Sequence, residues 1–234
     1  MTHGPLLADR PAAGVLRLRL HRPARRNALD GALVEALDGA LRRVEARAVV
    51  IGSSKPGTFC AGADLALPDA ERALVSDRLY ALYARMTELA VPLVAAVDGA
   101  AVGGGAQLAV ACDLRVAGRS ARLRFPGAGH GLAVGAWALP ALIGRGRALD
   151  LCLTMRWVGA DEALRIGLVD RVADDPDAAA VALAAELARL DPVAAARVKA
   201  VVARSAREQD ALAAEATGNR AWDGSVARLE AAHA

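Results

Sequence analysis

The stretch from Leu93 to Cys112 constrains this chain most. An apolar run, Leu93–Val97, is followed by Asp98, by Gly99, and then by the triplet Gly103-Gly104-Gly105 before Leu108–Cys112 resumes the apolar pattern. Five apolar residues bounded by turn formers read as an interior strand, and the segment from about Gly105 to Cys112 reads as a helix. Strand, tight turn and helix in that order are the unit of an α/β protein. Three consecutive glycines let the main chain turn sharply and offer bare N–H groups to a ligand, because no Cβ blocks the approach. A dinucleotide fingerprint is excluded, since its third glycine position holds Leu108, and no Gly-Lys-Ser/Thr follows for a phosphate loop.

The rest of the chain extends this pattern. Val15–Leu20 alternates apolar and basic residues as a half-buried strand does, and His21-Arg22-Pro23 ends it. Asp30 is placed to cap a helix running to about Arg43, with Leu33, Val34, Leu37 and Leu41 on one face. Ala48–Ile51 reads as a buried strand, Ala70–Leu89 as an amphipathic helix, and Leu114–Val116 and Arg122–Phe125 as strands. After Gly144 the pattern turns helical, at Ala148–Leu153, Ala160–Ile166, Asp177–Leu190, Pro192–Ser205 and Asp210–Ala216. The expectation is an α/β core with a mostly parallel sheet over residues 1–174 and a helical region over 175–234. That region is too small for a large core of its own, so it is expected to pack on the α/β part and on neighbouring subunits.

Composition removes several functional classes. The 29 Lys and Arg exceed the 26 Asp and Glu by only 3, and the arginines are scattered among few aromatics (3%), unlike the clustered surface of a nucleic-acid binder. Cys60, Cys112 and Cys152 form no CxxC pair, which argues against a disulfide framework and against a metal site. Met1–Arg10 carries Asp9 and Arg10 and lacks the apolar core of a signal peptide. Pro92, Asp98 and the glycines interrupt the apolar stretch Leu89–Cys112, so no membrane insertion and a cytoplasmic location are expected.

Five ordered blocks carry a resemblance. They are Arg22-Pro23-Ala24-Arg25-Arg26-Asn27-Ala28-Leu29, then Phe59-Cys60-Ala61-Gly62-Ala63-Asp64-Leu65, then Gly99–Asp113. Phe125-Pro126 with Gly131-Leu132 and Ala160–Ala163 through Gly167-Leu168-Val169 complete the set. Together they resemble the crotonase (enoyl-CoA hydratase/isomerase) family over most of the chain. The resemblance implies a spiral of ββα units, C-terminal helices that mediate a homotrimer or a dimer of trimers, and an acyl-CoA thioester ligand. No cofactor is implied beyond the coenzyme A portion of that ligand. By similarity, the N–H groups of Ala61 and Gly104 form an oxyanion hole for the thioester oxygen. The Ala61, Ala63, Asp64 and Leu65 backbone, with Gly103 and Gly104, contacts CoA. Arg25 and Arg26, in the same block as Ala28, meet its phosphates, and Lys199 is a further phosphate candidate. Two preorganised donors aimed at a forming enolate oxygen are worth roughly 10²–10³-fold each.

The acid–base positions depart from the family. Hydratases commonly use two glutamates, and alignment of the blocks puts Gln107 and Gly127 in their places. Some isomerases and dehalogenases place an aspartate where Gly135 stands. An amide orients water without accepting its proton, and glycine does neither. His130, with an ordinary pKa near neutrality, is either a compensating proton-transfer group or a packing residue. Cys60 reads as a small buried cysteine, Phe125 and Trp137 as acyl-pocket or core residues, and Asp98 and Asp113 as caps. The expected function is binding of fatty acyl-CoA thioesters without ordinary hydratase chemistry. The alternative is a lyase or isomerase that works chiefly by enolate stabilisation, such as a decarboxylase, or one that uses His130. A degenerate pocket with a purely structural role is disfavoured by the small residues Ala61, Ala63 and Gly104.

Overall fold

Residues whose side chains alternate between two apolar surroundings form the central strands, and this alternation builds the core. The computed structural model describes residues 4–220 and 222–224. The ten strands are β1 (Leu6–Ala12), β2 (Val15–Leu20), β3 (Ala48–Ser53), β4 (Thr58–Cys60), β5 (Leu93–Val97), β6 (Ala100–Val102), β7 (Leu114–Gly118), β8 (Arg122–Arg124), β9 (Val158–Gly159) and β10 (Arg171–Ala173). The helices are α1 (Gly31–Arg42), α2 (Asp69–Glu88), α3 (Gly104–Val110), α4 (Leu139–Ile143), α5 (Arg145–Thr154), α6 (Ala160–Ile166), α7 (Pro176–Leu187), α8 (Pro192–Ser205) and α9 (Glu208–Asn219).

One sheet runs β1-β2-β3-β5-β7-β10, and a smaller one runs β4-β6-β8-β9. All pairings are parallel except β1 with β2 and β8 with β9. Each of β3, β5 and β7 is followed directly by a strand of the small sheet, so the chain winds between the two sheets as a spiral. This is the mixed α/β architecture with parallel sheets that the sequence led one to expect.

Period-two alternation sorts the side chains. In β3, Val49 and Ile51 enter the main core while Ala48 and Val50 face the opposite layer; in β5, Leu93, Ala95 and Val97 do the former and Val94 and Ala96 the latter. The opposite layer is closed by α7 through Ala180, Leu183 and Ala184. Thus α7, within the region expected to be purely helical, packs on the large sheet. On β2 the basic half of the alternation lies on this α7-facing side, where Arg17 is paired with Asp9 and Asp177.

Local chemistry fixes the helix ends. Asp30 caps α1 by accepting from the Leu33 N–H at 2.9 Å, and Asp175 and Asp191 cap α7 and α8 in the same way. Asp98 and Asp113 do cap backbone turns: Asp98 accepts from the Gly57 N–H, and Asp113 from the Leu93 N–H at 2.7 Å. The short strands β4, β6, β9 and β10, and helix α4, were not anticipated. Residues 225–234, the end of the expected helical region, lie outside the described residues.

Candidate active site

Two loops approach each other at the ends of β4 and β6. Gly62 makes this possible: its φ is +90°, and a Cβ there would stand 2.7 Å from the Val102 carbonyl oxygen. The segment around Ala63 bridges to Leu29, with the Leu29 N–H donating to Gly62 O and the Asp64 N–H to Leu29 O. A pair of polar anchors holds the loop from below. Arg22 is ion-paired with Asp64 at 3.0 Å and with Asp30 at 2.9 Å, and it also donates to Ala28 O. The Asn27 amide, fully buried, donates to Ser53 Oγ and Phe59 O and accepts from the Arg22 N–H.

Between the loops lies a cavity of about 130 Å³. Ala61, Gly62, Ala63, Leu65, Val102, Gly103 and Gly104 line one side, and Pro126, Gly127, His130, Leu132, Val134 and Trp222 the other. The fold therefore gathers the Phe59–Leu65 block, the glycine triplet, Gly127 and His130 around one space. Within it, the Ala61 N–H is not available to a ligand, because it donates to Arg26 O at 3.0 Å. The N–H groups of Ala63 and Gly104 make no hydrogen bond among the described residues. The N–H expected to serve at Ala61 is therefore spent on anchoring the Arg22–Leu29 loop.

The other expected positions divide. Arg25 and Arg26 are exposed next to this loop, and Leu65 is 57% exposed at the cavity rim. Asp64 is buried in the Arg22 ion pair and caps the Ala66 N–H, so its side chain has a structural partner set. Lys199 donates to Met86 O, Val91 O and the Asp113 carboxylate, at 3.1, 3.4 and 2.8 Å, which ties α8 to the end of α2. Burial pushes the Cys60 thiol up to about 12, which leaves it protonated and unsuited to nucleophilic attack.

Gln107 is only 4% exposed and is not among the residues lining the cavity. Its Oε1 accepts from the Gly135 N–H at 3.1 Å and from Trp137 Nε1 at 2.9 Å. Trp137 in turn stacks on Tyr83, with ring centroids 6.4 Å apart, and belongs to the core along with Phe125. A Cβ on Gly127 would stand 2.4 Å from Val134 Cγ2. At Gly135, φ is +84° and a Cβ would lie 2.5 Å from the Phe125 ring. At Gln107, Gly127 and Gly135, the three positions expected to correspond to the family's acids, the structure either turns the side chain into the core or fills its space.

A carboxylate does reach this region, from an element that sequence reasoning missed. Glu215 on α9 is 6% exposed; its Oε1 accepts from Tyr80 Oη at 2.9 Å and the Gly135 N–H at 3.1 Å, and its Oε2 from the Trp137 N–H at 2.8 Å. Burial outweighs these donors and pushes its carboxyl up to about 7. Asn219 extends the network, donating to Tyr80 Oη and to Ala133 O. The available signal was a glutamate on the same helical face as Leu212 and Asn219.

His130 is half-buried and is the only titratable side chain among the described residues lining the cavity. Its Nδ1 is buried without a partner among the described residues. Burial, together with the nearby Arg72 charge, holds its pKa below the ordinary value. At neutral pH its imidazole is uncharged.

The model of the enoyl-CoA hydratase/isomerase family matches residues 10–224. The chain belongs to this family. A probable enoyl-CoA hydratase, echA6, of Mycobacterium tuberculosis is 39% identical over 232 residues, covering 94% of each chain. The structure of an enoyl-CoA hydratase from Bacillus anthracis superposes with a TM-score of 0.82 at 28% identity, covering 92% of this chain and 90% of that one. A monofunctional enoyl-CoA isomerase from M. smegmatis superposes with a TM-score of 0.74 at 31% identity, covering 88% and 95%. One enoyl-CoA hydratase/isomerase fold thus carries different reactions in its members, and side chains within the site must decide between them. Among the described residues, no helix is long and apolar enough to cross a membrane.

Proposed function

We propose that this chain binds acyl-CoA thioesters, holds the thioester carbonyl between the Ala63 and Gly104 N–H groups, and does not carry out ordinary hydration. The observation that carries this reading is the pairing of two N–H groups without protein acceptors on one small cavity, beside which Gly127 and Gly135 leave no room for a longer side chain and the Gln107 amide is turned to Gly135 and Trp137. Hydrating a 2-enoyl thioester requires a base for water and a proton donor to Cα, each typically worth ~10²–10⁴-fold. Gln107 is occupied by Trp137 and Gly135, and Gly127 has no room for a longer side chain. Binding needs only the hole, the apolar wall and the exposed arginines, Arg25 and Arg26, beside the loop as phosphate contacts.

The CoA portion is the only cofactor-like group this reading calls for. The protein acts in the cytoplasm on this reading, as a homotrimer or a dimer of trimers. Support for assembly comes from α8, which leaves Val198 and Val202 more than half exposed on the wall of a cavity of about 550 Å³. Such an unfilled apolar face suits a second copy.

Calorimetric titration with butyryl-CoA tests the hole. Proline is tolerated at the first residue of a helix, and Gly104→Pro removes one donor there. A lost hydrogen bond of ~0.5–1.5 kcal/mol weakens butyryl-CoA binding about two- to thirteenfold, while free CoA, which lacks the thioester carbonyl, binds both proteins alike. Equal butyryl-CoA affinity in both proteins would show that Gly104 is not a donor.

A second reading, weak lyase or isomerase activity through His130, rests on the neutral imidazole at the cavity wall. It predicts residual turnover that is lost in His130→Ala and that falls at low pH, as the imidazole protonates below its ordinary pKa. Turnover unchanged in His130→Ala would exclude it.

A further inference from the structure

The two walls of the cavity at the glycine triplet are held by different means. On one, residues 61–64 are tied by main-chain bonds to the Arg22–Leu29 loop, and the Gly103 N–H donates to Arg124 O at 2.9 Å. The opposite wall carries Leu132 and Val134, on an irregular segment, residues 132–137, that joins neither sheet. The N–H groups of such a segment still need partners where they are shielded from water. Those of Ala133, Gly135 and Trp137 have no main-chain acceptor among the described residues.

Side chains take them instead, chiefly from α9. Asn219 Oδ1 accepts from the Ala133 N–H at 3.0 Å, and Asn219 Nδ2 donates to Ala133 O at 2.7 Å. Glu215 Oε1 accepts from the Gly135 N–H at 3.1 Å and Oε2 from the Trp137 N–H at 2.8 Å, while Gln107 Oε1 shares the Gly135 N–H. The match has a geometric basis. Four residues of helix rise about 6 Å, and two residues of extended chain span about 6.6 Å, so positions 215 and 219 face positions 135 and 133. One face of α9 thus stands in for a neighbouring strand. Alternate residues of an extended segment point opposite ways, and Leu132 and Val134, which alternate with the held positions, line the cavity. The clamp is itself fixed: Leu212 of α9 lies in the main core, and Tyr80 on α2 donates to Glu215 Oε1 at 2.9 Å.

We propose that Glu215 and Asn219 are positioning residues that set the Leu132–Val134 wall of the cavity and so determine how much the acyl chain adds to ligand affinity. The proposal rests on the acyl-CoA reading above and assigns the residues that shape its acyl end. Neither side chain lines the cavity. Both act through the main chain of the segment they hold.

Calorimetric titration of acetyl-CoA and butyryl-CoA against four full-length proteins tests it: the unmodified chain, Glu215→Ala, Glu215→Gln and Asn219→Ala. In the unmodified protein the two extra methylenes of butyryl-CoA are expected to tighten binding about fifteenfold over acetyl-CoA, roughly fourfold each. Glu215→Ala and Asn219→Ala are expected to cut that ratio about four- to fifteenfold, as one or both methylene contacts are lost. Glu215→Gln keeps one acceptor oxygen and is expected to restore part of the ratio lost in Glu215→Ala. Asn219→Ala alters a half-buried side chain and serves where Glu215→Ala unfolds. A merely structural role would lower the melting temperature and leave the ratio where it was. An unchanged ratio in folded variants therefore overturns the proposal, as does an equal loss for both esters. Equal binding of the two esters by the unmodified protein also overturns it, because the wall would then not touch the chain. If the unmodified protein binds neither ester, the acyl-CoA reading itself falls; if it binds both and only the ratio fails to move, the positioning role alone falls.

Discussion

The region around the glycine triplet has two ends, a cavity lined by main chain and a packed core behind it, and they differ in what supplies their chemistry. At one end, Ala63 and Gly104 keep main-chain N–H groups free of protein acceptors, and Gly62 keeps their loops within contact distance. At the other end, Gln107 faces Trp137 and Gly135, Val134 occupies the space in front of Gly127, and the Phe125 ring fills that beside Gly135. A function supplied by backbone depends only on small residues and tight turns, so it persists wherever the fold does. A function supplied by side chains disappears with a single substitution, and the core then closes over the vacant position. Family membership is therefore a better guide to what this chain holds than to what it does with it.

The comparison breaks most visibly if the closed end can be reopened. Gly127→Glu drives a side chain into Val134 and the Leu132 carbonyl, so thermal unfolding should show a loss of about 1–3 kcal/mol and no gain of hydratase activity. A stable, hydrating Gly127→Glu protein would mean that the second glutamate was merely deleted and its site kept.

Glu215 sharpens the account of the closed end. Its folded-state pKa of about 7 lies above its ordinary 4.5, so the folded protein binds the proton more tightly than the unfolded chain. Its contribution is greatest below pH 4.5 and is lost as pH rises through 7, by up to about 3 kcal/mol. Denaturant titrations between pH 4.5 and 8 should show this decline, with a flatter profile in Glu215→Gln. Equal slopes in the two proteins would place the carboxyl in a far wetter setting than its contacts imply.

Trp137→Phe is the mildest probe. It removes the Nε1 donor to Gln107 and leaves the Gly135 N–H in place, so a cost of about 1–2 kcal/mol in thermal stability is expected, with butyryl-CoA affinity little changed. A large loss of affinity would bring Gln107 back to the ligand.

Much of this was legible from residues near each other in the chain. The central strands, the capped helices α1, α7 and α8, and the glycine turn all follow from local pattern. Strands β4 and β6, of three residues each, and β9, of two, are too short to display a period. That the Ala61 N–H is taken up by Arg26 O is not legible in the sequence, because it depends on how two distant loops meet. The contacts that define the closed end lie further still: Tyr80 and Glu215 are 135 residues apart, and Gly135 and Glu215 are 80 apart. No spacing rule reaches across such distances, whereas the glycine triplet and the Phe59–Leu65 block are visible in the sequence as contiguous motifs.

The central claim is a cavity that binds thioesters without the means to hydrate them. It is tested most directly by following hydration of crotonyl-CoA on the same preparation whose crotonyl-CoA binding is measured by calorimetry. The account predicts saturable binding with turnover orders of magnitude below the ~1–10³ s⁻¹ usual for enzymes. Hydration within that range would contradict it.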